Sequence, residues 1–271
     1  MTRTPPLLEV MALKKHFPLR GGILGGVTGQ VYAVDGVTFH IDKGETLSLV
    51  GESGCGKSTV GKAILRLTDP TAGEVWLDGA RIDNLPAGQL RPLRKRIQVV
   101  FQDPFSSLNP RMRVRDIIAE PLRNFGMAAN ASELEDRVAG LMDTVRLPRD
   151  AMHRFPHEFS GGQRQRIGIA RALALEPELL VADEPVSALD VSVQAGILAL
   201  LEELRTRLGL TMLFITHDLR VAAQVCDRVA VMQRGCIVEQ GPTGTVFGDP
   251  QHDYTRTLLD SVPGRNWTPP A

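Results

Sequence analysis

Gly51-Glu52-Ser53-Gly54-Cys55-Gly56-Lys57-Ser58-Thr59 decides how this chain is read. Its first eight residues satisfy G-x-x-x-x-G-K-[ST], with the apolar run Leu47–Val50 before them and a helical stretch after. Glycines let the backbone curl until successive N–H groups face one point, and that point suits phosphate oxygens. The positive end of the following helix adds to the attraction. Lys57 is expected to neutralise charge on the β- and γ-phosphates, and the Ser58 hydroxyl to ligate Mg²⁺. The expected cradle comprises Gly51, Ser53, Gly54, Cys55, Gly56, Lys57, Ser58 and Thr59.

Upstream, residues 31–50 alternate β-branched and polar positions, which predicts two strands joined by a turn at Asp42-Lys43-Gly44-Glu45. Gly21–Gly29 reads as a flexible loop insertion outside any element. Downstream, Lys57–Leu67 is predicted helical, with Val60, Ile64 and Leu67 on one face, and Ile97–Phe101 is a further strand. From Asp103 to about Phe159 β-branched runs vanish. Helical spacing takes over at Ile117 and Leu122, then at Leu134, Val138, Leu141 and Val145, so this is read as a helical insert. Leu179–Ala182 and Thr211–Thr216 are short apolar strands of the kind a sheet covered on both faces requires. Between them Val193, Ile197, Leu201, Leu204 and Leu208 form a core-facing helical stripe stopped by Gly209.

A length of 271 residues predicts one large domain or two small ones, and 43% apolar with 23% charged residues is ordinary for a globular chain with a sizeable core. Lys plus Arg and Asp plus Glu are 31 each, so zero net charge argues against nucleic acid as the main ligand. No run is long and apolar enough to span a membrane, and MTRTPPLLEV lacks the layout of a secretory leader. Three cysteines without metal-ligand spacing suit a reducing compartment, so a cytoplasmic chain is expected. Arg91, Arg94, Lys95 and Arg96 read as a solvated face.

Two more stretches carry chemistry. Leu179–Glu184 delivers two acids at the carboxyl end of a buried strand, where ligands sit in open α/β sheets. Asp183 suits Mg²⁺, and Glu184 suits orienting and deprotonating a water. In Phe159-Ser160-Gly161-Gly162-Gln163, Ser160 is a natural N-cap and the glycines leave bare N–H groups at a helix start. Alone this is an ordinary capped helix. Beside a P-loop it is a second phosphate device, and the economical reading assigns it to a nucleotide held by another subunit.

The ordered set GESGCGKST, VVFQDP, FSGGQRQR, LLVADEP, SALD and ITHD resembles the ATP-binding subunits of ABC transporters over nearly the whole chain. VDGVTF, FQDPFSSLNPRM and the tail GDPQHDYTRTLLDSVP look like oligopeptide and dipeptide importers of that family. The resemblance implies an α/β P-loop NTPase (RecA-like) core with an N-terminal antiparallel β-subdomain and an inserted α-helical subdomain. The expected divisions are 1–102, 103–159, 160–245 and a tail at 246–271. It makes Gln102 a sensor of Mg²⁺ or water, His217 the residue near the γ-phosphate, and Asp190 a dimer-interface residue that could equally be a plain helix cap. Ser160, Gly161, Gly162 and Gln163 become the signature that closes on a partner's ATP. Phe17, or else Tyr32, would stack on adenine unless each is merely core. With no cysteine after Pro263, no iron–sulfur cluster is expected.

The implied activity is ATP hydrolysis with Mg²⁺, energising uptake of peptides or similar small solutes. The implied partners are a second ATP-binding subunit, identical or not, two integral-membrane permeases and, indirectly, an external solute-binding protein. The implied place is the cytoplasmic face of the bacterial inner membrane. ABC ATPases of other transporter classes, and soluble ones outside transport, share the motifs and stay open as alternatives.

Overall fold

The computed structural model describes residues 5–21, 26–103 and 107–262. It divides into two compact units, Met1–Leu90 with Thr211–Ala271, and Arg91–Leu210. In chain order come β1 (Leu8–Gly21), β2 (Gly26–Ile41), β3 (Thr46–Val50), α1 (Lys57–Ile64), β4 (Ala72–Leu77), β5 (Ala80–Arg81) and α2 (Ala87–Arg96). The second unit holds β6 (Ile97–Val100), α3 (Val114–Asn124), α4 (Ala131–Thr144), α5 (Gly161–Leu173), β7 (Leu179–Asp183) and α6 (Val191–Leu208). The chain then re-enters the first unit with β8 (Thr211–Thr216), α7 (Leu219–Val225), β9 (Arg228–Gln233), β10 (Cys236–Pro242), α8 (Thr243–Gly248) and α9 (Asp253–Asp260).

In the first unit β1, β2, β4 and β5 form an antiparallel sheet in the order β2-β1-β4-β5. β3 lies between β8 and β9, parallel to both, and β10 returns antiparallel along β9. Every residue of β3 and β8 is buried, as expected of strands covered on both faces. The polar members of these strands find partners inside: Ser48 Oγ donates to the Phe214 carbonyl at 3.0 Å. In the second unit β6 and β7 pair in parallel. Between β6 and α5 the described residues hold α3, α4 and 3-10 turns at Arg149–His153 and Pro156–Glu158. Ile117 and Leu122, then Val138, Met142 and Val145, turn inward.

Several sequence expectations need correction. Gly21 and Gly26–Gly29 are not a loop: they lengthen β1 and β2 into a hairpin, with Gly21 opposite Gly26 and Leu19 opposite Gly29. Cross-strand pairing overrides the weak strand preference of glycine; residues 22–25 lie outside the described chain. Helix α1 stops at Ile64, three residues early, because Arg66 adopts a left-handed conformation (φ 51°) and the N–H groups of Leu67 and Thr68 turn back to the Lys62 carbonyl. Val60 and Ile64 are buried, but Leu67 is 56% exposed. β6 ends one residue before Phe101. Along α6, Ile197, Leu201 and Leu204 are core, whereas Leu208 is exposed just before Gly209 ends the helix at φ 63°. Arg96 is not simply solvated, since it pairs with Glu178, and Arg91 donates to the Asn124 carbonyl at 2.6 Å.

Candidate functional site

The loop after β3 is shaped by two close approaches. A Cβ on Gly51 would lie 2.2 Å from the Met232 carbonyl oxygen, and one on Gly56 would lie 2.1 Å from that of Ala33. Both have positive φ (150° and 112°), so any side chain there meets steric and conformational strain together. The outer edge is tied by Gly235, which donates to the Cys55 carbonyl at 2.9 Å and accepts from the Asp35 N–H at 2.8 Å. Gly56 then opens α1. Glu52, Ser53 and Gly54 are exposed, Cys55, Ser58 and Thr59 half-buried, and Lys57 is only 4% exposed. The Lys57 ammonium donates to the carbonyls of Gly51 (2.7 Å) and Glu52 (2.8 Å). Ser58, which begins the helix beside Lys57, supplies a hard oxygen donor of the kind Mg²⁺ takes.

Also in the first unit, His217 follows β8 and is exposed. Its neighbours are anchored: Thr216 Oγ1 accepts from the Asp218 N–H, and the Asp218 carboxylate caps α7 through the Arg220 N–H. Phe17 (40% exposed) and Tyr32 (56%) are both surface residues, which removes plain core packing for either. Phe17 sits opposite Val31 and His16 opposite Tyr32, with the His16 and Tyr32 rings edge to face at 4.5 Å. Consecutive register positions put Phe17 and Tyr32 on opposite faces of the hairpin.

In the second unit, Asp183 ends β7 and Glu184 follows it, both half-buried. Glu184 is held at φ 47°, a left-handed conformation that costs a non-glycine residue energy and recurs at functional sites. Its Oε2 accepts from the Gln102 amide at 3.0 Å, so two residues 82 positions apart meet. Asp183 and Gln102 offer oxygen donors suited to Mg²⁺. No group of three or more His, Cys, Asp or Glu among the described residues could hold a metal by itself.

Helix α5 opens with a reciprocal cap: Ser160 Oγ accepts from the Gln163 N–H at 3.3 Å, and Gln163 Oε1 accepts from the Ser160 N–H at 3.0 Å. Ser160 and Gln163 are exposed, Gly161 half-buried and Gly162 buried against Val193. Asp190 stands at the start of α6, exposed and without a side-chain capping bond.

The residues that brace these elements carry no signature in the sequence. Buried Arg164 donates to the Pro156 and His157 carbonyls, and buried Gln165 to that of Phe101, next to Gln102. Arg171 reaches the Ser107 carbonyl at 2.6 Å, its guanidinium pKa lowered by burial. Tyr254 of α9 touches the P-loop itself, its hydroxyl accepting from the Glu52 N–H at 3.2 Å. Helical spacing marks apolar faces and carries no signal for a polar side chain that bonds a distant carbonyl.

Against known proteins, residues 34–187 match the family model described as ABC transporter. A glutathione import ATP-binding protein of Salmonella typhimurium is 53% identical over 258 residues, 95% of this chain and 41% of that protein. The chain therefore spans less than half the length of that relative. A Brucella ovis protein provisionally named as a peptide import ATP-binding protein is 51% identical over 263 residues, covering 97% of this chain and 80% of that one. Among solved structures, the ATP-binding cassette MJ0796, a dimer bound to ADP and Pi, superposes with a TM-score of 0.76 at 30% identity over 87% of this chain and 98% of that one. CbiO1 of Clostridium perfringens superposes with a TM-score of 0.77 at 28% identity, over 95% and 96%.

Proposed function

This chain belongs to the ABC transporter family, and from that premise we propose that it is the ATP-hydrolysing subunit of an importer for peptides or similar small solutes. The observation that carries the proposal is the P-loop, with Gly51 and Gly56 pressed against carbonyls where no side chain fits and Lys57 buried beside it. The importer assignment is supported by the glutathione import and peptide import relatives, each aligned over nearly all of this chain. Among the described residues no helix is long and apolar enough to cross a membrane. Partner permeases would supply the path, and this chain would attach peripherally at the cytoplasmic face of the bacterial membrane. A solute-binding protein would present cargo on the other side.

Each candidate residue has a task in this reading. Lys57 and the loop N–H groups would bind the β- and γ-phosphates; Ser58 of the first unit and Gln102 and Asp183 of the second are the oxygen donors that would take Mg²⁺, and the ion would offset phosphate charge. Glu184 takes the proton of the attacking water, oriented by the Gln102 amide. His217 contacts the γ-phosphate. Two copies, or this chain and a homologue, pair head to tail so that Ser160, Gly161, Gly162 and Gln163 of one close on the triphosphate of the other, with Asp190 at the seam. The exposure of Ser160, Gln163 and Asp190 suits that role.

Glu184→Gln tests the proposal. Phosphate release should drop by ~100-fold or more, the contribution typical of a general base, while ATP binding persists and gel filtration shows an ATP-dependent dimer. Near-normal turnover would remove Glu184 from the chemistry.

A further inference from the structure

Residue 51 passes its carbonyl to Lys57, and the N–H of the same peptide plane belongs to Glu52. That plane is gripped at both ends: Lys57 Nζ donates to the Gly51 carbonyl at 2.7 Å, and the Glu52 N–H donates to Tyr254 Oη at 3.2 Å. Tyr254 comes from α9, about two hundred residues further along the chain. Its ring is 9% exposed and packs in one cluster with Val50, Leu219, Val231, Val246 and Phe247. Val50 is the last residue of β3, so ring and hydroxyl engage the strand end and the loop it delivers.

The helix bearing this tyrosine is well fastened. His252 Nδ1 caps it by accepting from the Tyr254 N–H, and the Glu239 carboxylate accepts from the N–H groups of Gln251 and His252. Between α9 and the loop lies a cleft of about 660 Å³ whose walls include Glu52–Cys55 on one side and His252, Asp253 and Thr257 on the other. Tyr254 is part of its lining. Burial pushes the phenol pKa above its ordinary value of 10, so the hydroxyl stays neutral at working pH.

We propose that Tyr254 is a positioning residue for nucleotide binding: its hydroxyl fixes the Gly51–Glu52 peptide plane while Lys57 changes partners. The inference rests on the P-loop reading above. When a phosphate arrives, Lys57 exchanges the Gly51 carbonyl for phosphate oxygen, and one end of the plane is released. A peptide that follows glycine rotates at little cost. A rotated plane would aim a carbonyl where the cradle needs donors. Held at its N–H, the plane keeps its orientation, and a larger fraction of the loop stays competent to bind. The C-terminal helix thereby contributes to ATP affinity without touching ATP.

Tyr254→Phe keeps the ring and removes the grip. The expected result is an ATP dissociation constant raised about fivefold, the net effect of one hydrogen bond. Turnover at saturating ATP should stay within about twofold, because Tyr254 does not contact the reacting atoms. Thr257→Ala, on the same helix and the same cleft, should change neither. A purely structural tyrosine would lower the melting temperature of Tyr254→Phe and leave its ATP affinity at the wild-type value, and that result overturns the proposal. A second measurement needs no variant: the Glu52 amide of the wild-type protein should exchange with solvent more slowly than those of exposed Ser53 and Gly54, and equal rates also overturn it. If the wild-type chain binds no nucleotide, the P-loop reading fails and takes this one with it; unchanged affinity in Tyr254→Phe refutes the positioning role alone.

Discussion

Lys57 is a buried ammonium whose two closest partners are neutral carbonyls, those of Gly51 and Glu52. Such bonds occupy its N–H groups without offsetting its charge, and no carboxylate pairs with it among the described residues, so a phosphate is the better partner. Lys57→Ala should weaken ATP binding by roughly 10-fold or more, the loss expected for a charged hydrogen bond, as measured by titration with a fluorescent ATP analogue. The two exposed aromatics make a sharper pair. Phe17 and Tyr32 face opposite sides of one hairpin, so a single adenine ring can stack on only one of them. Of Phe17→Ala and Tyr32→Ala, one should raise the dissociation constant for ATP by about tenfold, given ~1–3 kcal/mol for a base stacked on an aromatic, and the other should leave it unchanged. Equal losses in both variants would mean that neither is the stacking residue.

At the scale of elements, α5 shows how one local motif serves stability and function at once. The Ser160–Gln163 box satisfies donors that a helix start leaves open. Ser160→Ala should cost about 1 kcal/mol of stability, read by denaturant unfolding. Ser160→Asn preserves a capping side chain and should restore nearly all of it. If the hydroxyl also contacts a partner's nucleotide, both variants lose ATP-dependent dimer formation, so stability and assembly separate. Behind the cap, Arg164 and Gln165 fasten the helix to Pro156, His157 and Phe101. The brace at Phe101 adjoins Gln102, which in turn meets Glu184.

For the molecule as a whole, acid should be the weak point. At Asp83 burial pushes the carboxyl pKa up, but the Arg81 guanidinium and the Val75 N–H outweigh it and hold the value below the ordinary 3.8. At Asp218 burial is likewise outweighed, by Arg220 and backbone N–H groups. A carboxylate with a depressed folded pKa contributes stability that is complete above its unfolded value and lost as pH falls through the folded one. The melting temperature should therefore decline as pH drops from about 5 toward 3, where these carboxylates take up protons. Asp83→Asn should melt lower than wild type at neutral pH and show a shallower acid decline. A wild-type melting temperature that is flat across that range would contradict this account.

Short-range physics was legible from the letters alone. Thr211–Thr216, the β7 strand, the Ser160 cap and the Gly209 stop follow from apolar runs, capping chemistry and positive φ, each settled within a few residues. The P-loop was equally plain, because its glycines are required by backbone geometry at those positions. Only the tertiary structure decided what depends on distant chain. Cross-strand partners turned Gly26–Gly29 into strand, a left-handed Arg66 shortened α1, and the hairpin register set Phe17 and Tyr32 back to back. The same holds for Gln102 meeting Glu184 and Tyr254 meeting Glu52, across 82 and 202 positions of sequence. Hydrogen bonds of that kind leave no periodic trace, since the two partners are brought together by the packing of everything between them.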